Sequence, residues 1–410
     1  MMELLSPAGS LQKLQYAYSF GADAAYIGVK GFSLRDRASN VDLASVEDLI
    51  RVKGNKKLYG AVNRFFHEED YREFASSVND VKEYPFDAYI VSDLGPAMLL
   101  KKTLGDDIHL HLSTQANTLN SGAVMAYKEL GFSRIILGRE VSIDDIKRIK
   151  DAVPEIEIET FVHGAMCMAY SGRCFLSAHL SDRSANEGDC AHTCRWKYNI
   201  LEKREPKEFY IEEETRTGEY FPVIEEDGYS TILSSKDLNM IEHLRELKDA
   251  GVDSLKIEGR MKSLYYVATV TRAYRKAIDV IEHGGDEKEA LLYREELNSV
   301  SHREYSTGFF FSKDDIEKPT ETTYLREYLL IGTVEKHVSS NRFELDLKNK
   351  LSLGDEIEFI GPEVLFITDS SFTLFDENGD AMEVANHHQK VYLETTSHIK
   401  EGYIMRKRLN

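Results

Sequence analysis

The stretch Glu155-Ile-Glu-Ile-Glu-Thr-Phe-Val-His163 alternates with a period of two: Glu157, Glu159, Phe161 and His163 fall on one side, against Ile156, Ile158 and Val162. Successive side chains of a strand point to opposite faces, so the pattern predicts a β-strand with one charged face. Ser254-Leu-Lys-Ile-Glu-Gly-Arg260 repeats it, with Lys256, Glu258 and Arg260 against Leu255 and Ile257, and so does His109-Leu-His-Leu-Ser-Thr-Gln115, with His109, His111, Ser113 and Gln115 on one side. Working outward, strand-like runs recur at 3–6, 24–29, 57–62, 88–92, 109–113, 134–137, 155–162 and 254–258. Helical periodicity fills the gaps, as at 11–20, 46–53 and 124–130, each followed by a glycine stop. Alternation of this kind specifies a parallel α/β sheet, and eight units predict its closure into a (β/α)8 TIM-type barrel.

The apolar faces should meet the helices. That leaves His, Glu, Lys and Arg facing the lumen, which in a barrel filled only for stability would hold Val, Ile and Leu. A site at the C-terminal mouth follows. His163, Glu258 and Arg260 sit at or just past strand ends and are the candidate catalytic groups. Arg139, with Glu140 beside it, follows the sixth strand; Asn63 and Arg64 follow the third; Gln115 and Asn117 follow the fifth. These five are candidate substrate-binding residues, the arginines pointing to an anionic ligand. The structural alternative is a Glu258–Lys256 lumen ion pair, His109 as a satisfied core histidine, and ordinary pairing at the mouth.

The only four cysteines of the chain, Cys167, Cys174, Cys190 and Cys194, fall in one segment with spacing C-x6-C-x15-C-x3-C, and glycines at 164, 172 and 188 let the backbone wrap. Four thiolates suit structural zinc or an iron–sulfur cluster. Zinc knuckles pair ligands as C-x2-C or C-x4-C, a habit that this spacing does not follow, whereas a cubane tolerates it. Two disulfides or four buried thiols are the remaining readings. The cysteine segment (167–194) and a charged hairpin (about 202–235) interrupt the barrel, which is expected over 1–310. Residues 262–295 read as amphipathic helix, 311–328 as a linker, and 329–410, where strands alternate with turns, as a small C-terminal β-barrel domain.

In 410 residues, 42% are hydrophobic, enough for one large and one small core, and the net charge is −19. This charge argues against broad nonspecific affinity for nucleic acid, which rests on Lys and Arg neutralising phosphates, and does not exclude a local basic groove. No apolar run approaches the roughly twenty residues of a spanning helix, and no leader pattern opens the chain, so a cytoplasmic protein without membrane contact is expected.

The run Glu159-Thr-Phe-Val-His-Gly-Ala-Met-Cys167-Met-Ala-Tyr-Ser-Gly-Arg-Cys174-Phe-Leu-Ser177, continued by Cys190-Ala-His-Thr-Cys194-Arg-Trp196, resembles the signature of the U-32, or collagenase-like, peptidase family. Leu5-Ser-Pro-Ala-Gly9, Leu112-Ser-Thr-Gln-Ala-Asn117 and Lys256-Ile-Glu-Gly-Arg-Met-Lys-Ser263 extend the likeness over the barrel. The resemblance implies an oxygen-independent hydroxylase with a [4Fe–4S] cluster on Cys167, Cys174, Cys190 and Cys194. The wording between the first two cysteines is most similar to the branch needed for 5-hydroxyuridine at the tRNA wobble position, where prephenate is implicated as oxygen source. Related branches hydroxylate a ribosomal RNA cytidine or a quinone precursor. The resemblance thus implies tRNA and a small dicarboxylate as partners, with a protein partner or electron donor supplying what an acidic chain lacks. The tail Met405-Arg-Lys-Arg408 offers phosphate contacts.

The alternative is the peptidase of the family name. It needs a nucleophile or an open catalytic metal, and the sequence holds no H-E-x-x-H, no G-x-S-x-G and no Ser/His/Asp set. The C-x3-C-x2-C run of radical S-adenosylmethionine enzymes is absent too. A zinc-stapled binding module, its lumen charges explained as buried pairs, stays open.

Overall fold

The computed structural model describes residues 1–34, 40–166, 209–212, 220–226, 229–231, 236–311 and 325–409. Seven strands pair in parallel in chain order: β1 (Glu3–Pro7), β2 (Ala24–Gly28), β3 (Lys57–Val62), β4 (Ala88–Val91), β5 (Leu110–Leu112), β6 (Phe132–Ile136) and β7 (Glu157–Ala165). Antiparallel strands β8 (Phe209–Glu212), β9 (Tyr220–Glu226) and β10 (Tyr229–Thr231) form a separate sheet where the charged hairpin is expected. After β11 (Asp237–Asn239) comes β12 (Ser254–Ile257), which pairs in parallel with both β7 and β1 and closes the barrel. The (β/α)8 reading is borne out.

Between the strands run α1 (Leu11–Ser19), α2 (Val46–Lys53), α3 (Glu68–Ser77), α4 (Leu94–Leu104), α5 (Ser121–Glu129), α6 (Ile143–Ala152) and α7 (Leu244–Asp249). Several begin on a side chain that satisfies an orphan amide: Asp93 accepts from Gly95, Asn120 from Ala123 and Ser142 from Asp145. Ala25, Ile27 and Leu58 of the strands pack with Leu14 and Leu49 of the helices, so the apolar strand faces do meet the helices.

Two features escaped the sequence pattern. β11 runs antiparallel along the end of β7, with Asp237 opposite Ala165 and Asn239 opposite His163, and β13 (Tyr305–Ser306) pairs with β11. β7 thus outlasts the barrel wall. The antiparallel pair thus brings together Ala165, just before the cysteine segment in the sequence, and Asp237, after the charged hairpin.

Contacts divide the chain into one compact unit of 1–18, 22–262 and 303–323 and a second of 19–21, 263–302 and 324–410. The expected barrel domain, 1–310, included α8 (Leu264–His283) and α9 (Glu287–Glu295), which group with the C-terminal strands instead. Buried guanidinium groups supply the reason. Arg272 of α8 is 1% exposed, pairs with Glu296 and donates to the carbonyls of Gly361 and Val364 at 2.5 and 2.6 Å. A helical period gives a helix an apolar face without naming its neighbour.

The second unit is all-β beyond these helices. β14 (Tyr328–Ser339) begins inside the expected linker and pairs with β15 (Arg342–Leu347) and with the final strand, Ile404–Arg408. Its ladder of eight antiparallel strands curls over one core that includes Ile331, Leu345, Phe359, Leu393 and Met405, and no hydrogen-bonded pair closes it among the described residues. The phosphate role expected of the tail fails for Arg406, which is 2% exposed and held by Glu358 and Glu296 at 2.7 and 3.0 Å. Lys407 is taken by Asp355. Among the described residues no helix is long and apolar enough to cross a membrane.

Candidate active site

The polar strand faces meet in the lumen. Glu159 is fully buried and serves two cations: Lys256 Nζ lies 2.6 Å from Oε1 and Arg134 Nη1 3.1 Å from Oε2. Arg134 also reaches Glu3 at 2.6 Å and Glu157 at 2.8 Å, while the Tyr59 hydroxyl donates to Glu3 at 2.7 Å. Alternation put these charges inside; strand stagger chose the partners. Lys256 of β12 stands opposite Phe161 of β7, one pleat from Glu159, so the expected Lys256–Glu258 pair is replaced by Lys256–Glu159.

Burial sets the protonation here. It raises the Glu3 carboxyl, but the charge and hydrogen bond of Arg134, the Tyr59 hydroxyl and the charge of Lys57 together outweigh it and hold that group below the usual range. Lys256 is lowered, because burial outweighs the pull of Glu159. The His111 ring, 4.7 Å from the Tyr59 ring and edge-on to it, is held well below an ordinary histidine by burial and then by Arg134 and Lys256. His111 is thus a neutral core ring. His109, expected on the same face, is exposed ahead of β5.

A histidine lowered by folding contributes stability that is present above its unfolded pKa and is lost as pH falls, since only the unfolded chain then takes the proton. Urea unfolding at pH 5.5 and 7 should therefore show a pH slope that His111→Phe reduces by roughly 1 kcal/mol across that window, which opens at the unshifted value of 6.5. An unchanged slope in the variant would contradict the neutral, buried assignment.

At the mouth, Arg139 Nη2 lies 3.3 Å from Glu258 Oε2, and its guanidinium stands 4.0 Å from the centre of the Phe161 ring. Lys256 Nζ is 5.6 Å from that ring and 4.4 Å from Tyr26, whose ring centre is 6.0 Å from the Arg260 guanidinium. Two aromatic rings, Tyr26 and Phe161, are therefore each shared between the buried lysine and one mouth arginine. Tyr26 is fixed by donating to the Ile257 carbonyl at 2.9 Å. Arg260, 3% exposed, donates from Nη1 to Ser33 Oγ at 2.5 Å. Gly28 makes room for this: a Cβ there would lie 2.5 Å from Arg260 Nη1 and 2.7 Å from Ser33 Oγ.

The other candidates divide. His163 is 1% exposed, with its ring 5.4 Å from that of Tyr305, and its carbonyl accepts from the Glu258 amide at 2.9 Å. Beside it Asp237 is clamped by Arg303 at 2.6 Å; burial raises the carboxyl, but the charges of Arg303 and Lys262 with the Arg303 hydrogen bonds together lower it. Asn63 Oδ1 accepts from the Leu34 amide at 3.2 Å. Arg64 is committed to Asp70 and the Gly31 carbonyl, each at 3.3 Å, which fits a loop brace better than a ligand contact. Gln115 accepts from the Ser113 hydroxyl in a 3-10 turn, and Asn117 ends that turn in the left-handed region at φ 53°. The strand face read through His109–Gln115 thus ends at Leu112. Arg139, Glu258 and Arg260 are brought together around the two rings; Arg64 is not. The sequence did not flag Ser33, Lys13 or Arg134. A glycine ending β2 was the one available sign that a neighbour comes close.

Among the described residues no group of three His, Cys, Asp or Glu side chains could hold a metal ion. The four cysteines lie outside them. As a donor set, four thiolates fit an iron–sulfur cluster or zinc.

A model of peptidase family U32 matches residues 9–320, and one of the peptidase family U32 C-terminal domain matches 326–406. The chain is similar to "tRNA hydroxylation protein P" of Escherichia coli, 37% identical, over 93% of this chain and 91% of the relative. It is 34% identical to "tRNA hydroxylation protein P1" of Bacillus subtilis, over 99% and 94%. A "Collagenase" of Porphyromonas gingivalis is 32% identical, over 88% and 86%. A barrel closed by β12, a C-terminal β-sheet and matches spanning both leave one placement: the chain belongs to peptidase family U32.

Proposed function

We propose that this protein is an RNA-modifying hydroxylase that forms 5-hydroxyuridine at the wobble position of tRNA. The observation that carries the reading is the assembly of Arg139, Glu258 and Arg260 at the mouth where β7 leads toward Cys167, one residue after Met166. Two relatives that align over nearly the whole chain are named for tRNA hydroxylation, which favours RNA over a peptide substrate.

In this reading Arg260 and Arg139 bind an anionic oxygen donor, a small dicarboxylate such as prephenate, without molecular oxygen. Phe161 orients Arg139, and Glu258, held by Arg139, accepts or returns a proton. His163, packed on Tyr305, keeps the end of β7 in place. A [4Fe–4S] cluster on Cys167, Cys174, Cys190 and Cys194 would supply electron transfer; zinc on the same donors would be a staple. With a net charge of −19, a protein partner or electron donor adds the basic surface that RNA requires.

The test is mass spectrometry of tRNA nucleosides from cells lacking the gene, complemented with wild type, Arg139→Ala or Cys174→Ser. Wild type should restore 5-hydroxyuridine, Arg139→Ala should lower the rate about 100-fold through loss of substrate positioning, and Cys174→Ser should restore none. Anaerobically purified protein should hold about four irons and four sulfides, lost in Cys174→Ser. Unchanged tRNA in the deletion would overturn the reading and turn attention to ribosomal RNA, a quinone precursor or, given the collagenase relative, peptides. One zinc without sulfide would overturn the cluster.

A further inference from the structure

The mouth contains a further cation that the reading above leaves unused. Lys13 lies in the first turn of α1, its amide donating to Ser10 Oγ at 3.2 Å, and its side chain is half-buried. Its Nζ has one polar contact among the described residues, the Arg260 carbonyl at 3.4 Å, and no carboxylate partner. The chain has 70 Asp and Glu against 51 Lys and Arg, so an acid was easily supplied. Several other cations of the barrel have acid partners: Lys256 has Glu159, Arg134 has Glu3 and Glu159, and Lys150 has Asp253.

The placement is enforced by backbone. At Gly9, between β1 and α1, a Cβ would lie 2.0 Å from the Arg260 carbonyl oxygen and 3.5 Å from Lys13 Nζ. The loops after β1 and β12 therefore touch, and this contact sets Lys13 beside the residue that carries the Arg260 guanidinium. Ser33, after β2, holds that guanidinium at 2.5 Å. Burial alone shifts Lys13, downward, with no opposing charge to restore it. Ordering a lysine without an acid beside an arginine costs free energy in the empty site, and a bound anion offsets that cost.

We infer an oxyanion subsite at the ends of β12, β1 and β2, in which the Lys13 ammonium and the Arg260 guanidinium together take a carboxylate or phosphoryl group. The inference rests on and deepens the anion-binding role given to Arg260 above by adding Lys13 to it, and because it concerns anion binding without RNA it holds whatever nucleoside is modified.

Thermal unfolding of the purified full chain, titrated with malonate in one arm and inorganic phosphate in the other at constant ionic strength with chloride, tests it. At least one anion should raise Tm saturably; saturation by malonate alone identifies a carboxylate site, by phosphate a phosphoryl site. Lys13→Gln should weaken the apparent Kd at least tenfold, and Lys13→Arg should keep it within about threefold, because it retains the charge. Far-UV circular dichroism of both variants confirms the fold. A shift no larger than that of chloride, or the same Kd in Lys13→Gln, overturns the subsite. The nucleoside analysis of cells carrying these variants is scored separately, so failure of the subsite leaves the hydroxylase reading to stand or fall on its own data.

Discussion

Glu159→Leu should cost about 3–5 kcal/mol of unfolding free energy, the penalty for leaving buried charge without its partner. The carboxylate is fully buried and is shared by Lys256 at 2.6 Å and Arg134 at 3.1 Å, so its loss strands one buried lysine and weakens the hold on a buried arginine. Against a typical total of about 5–15 kcal/mol, this is a loss that denaturant unfolding resolves easily. Arg134 keeps Glu3, whereas Lys256 keeps only the two rings and the weaker attraction of Glu258, so most of the cost should come from Lys256. The double variant Glu159→Leu, Lys256→Met should recover much of it, because replacing both members of a buried pair with apolar groups is often nearly neutral. A single-variant loss under 1 kcal/mol, or a double variant no better than the single, would show that the pair is wet and screened.

Gly9→Ala should be the most damaging methyl that can be added to the barrel mouth. The new Cβ meets the Arg260 carbonyl oxygen at 2.0 Å, and that atom is backbone, so one of the two loops must move. A shift of about 1 Å in a positioning group costs on the order of 100-fold in rate, and here Arg260 and Lys13 shift together. The expected outcome is a fall of that size in tRNA hydroxylation in complemented cells. At Gly95, by contrast, the nearest atom is the Tyr71 ring at 3.3 Å, and Gly95→Ala should leave activity unchanged. Equal activity for the two variants would mean that the β1 and β12 loops are not in contact in the working enzyme.

What could be read beforehand follows from which forces act locally. Alternation in Glu157–His163 and Leu255–Arg260 encodes which face is polar, so the barrel, the buried Glu159 and Lys256, and the mouth positions of Arg139, Glu258 and Arg260 were legible. Partnership was not, because it depends on stagger between strands: the pairing of Lys256 with Glu159 and of Glu258 with Arg139 comes from register. His109 was misplaced because β5 starts one residue later than its pattern. Gln115 continued an apparent alternation into what is a turn, which Asn117 ends in the left-handed region. The strand Tyr305–Ser306 is too short for any period to announce it. Arg406 looked like a tail cation and is a buried brace, since composition near a terminus says nothing about burial.

The antiparallel pairing of Ala165 with Asp237 has an evolutionary reach beyond its role in the fold. Ala165 and Asp237 stand opposite each other, about one strand spacing apart, near 5 Å, so the entropy of closing the chain between them changes only slowly with its length. That cost grows by about 0.6 kcal/mol for each doubling of length. Insertions and deletions between these two positions thus add little closure cost to the barrel. One scaffold can carry successive versions of its cysteine-bearing excursion, and reactivity can diversify while the lumen that supports it stays unchanged.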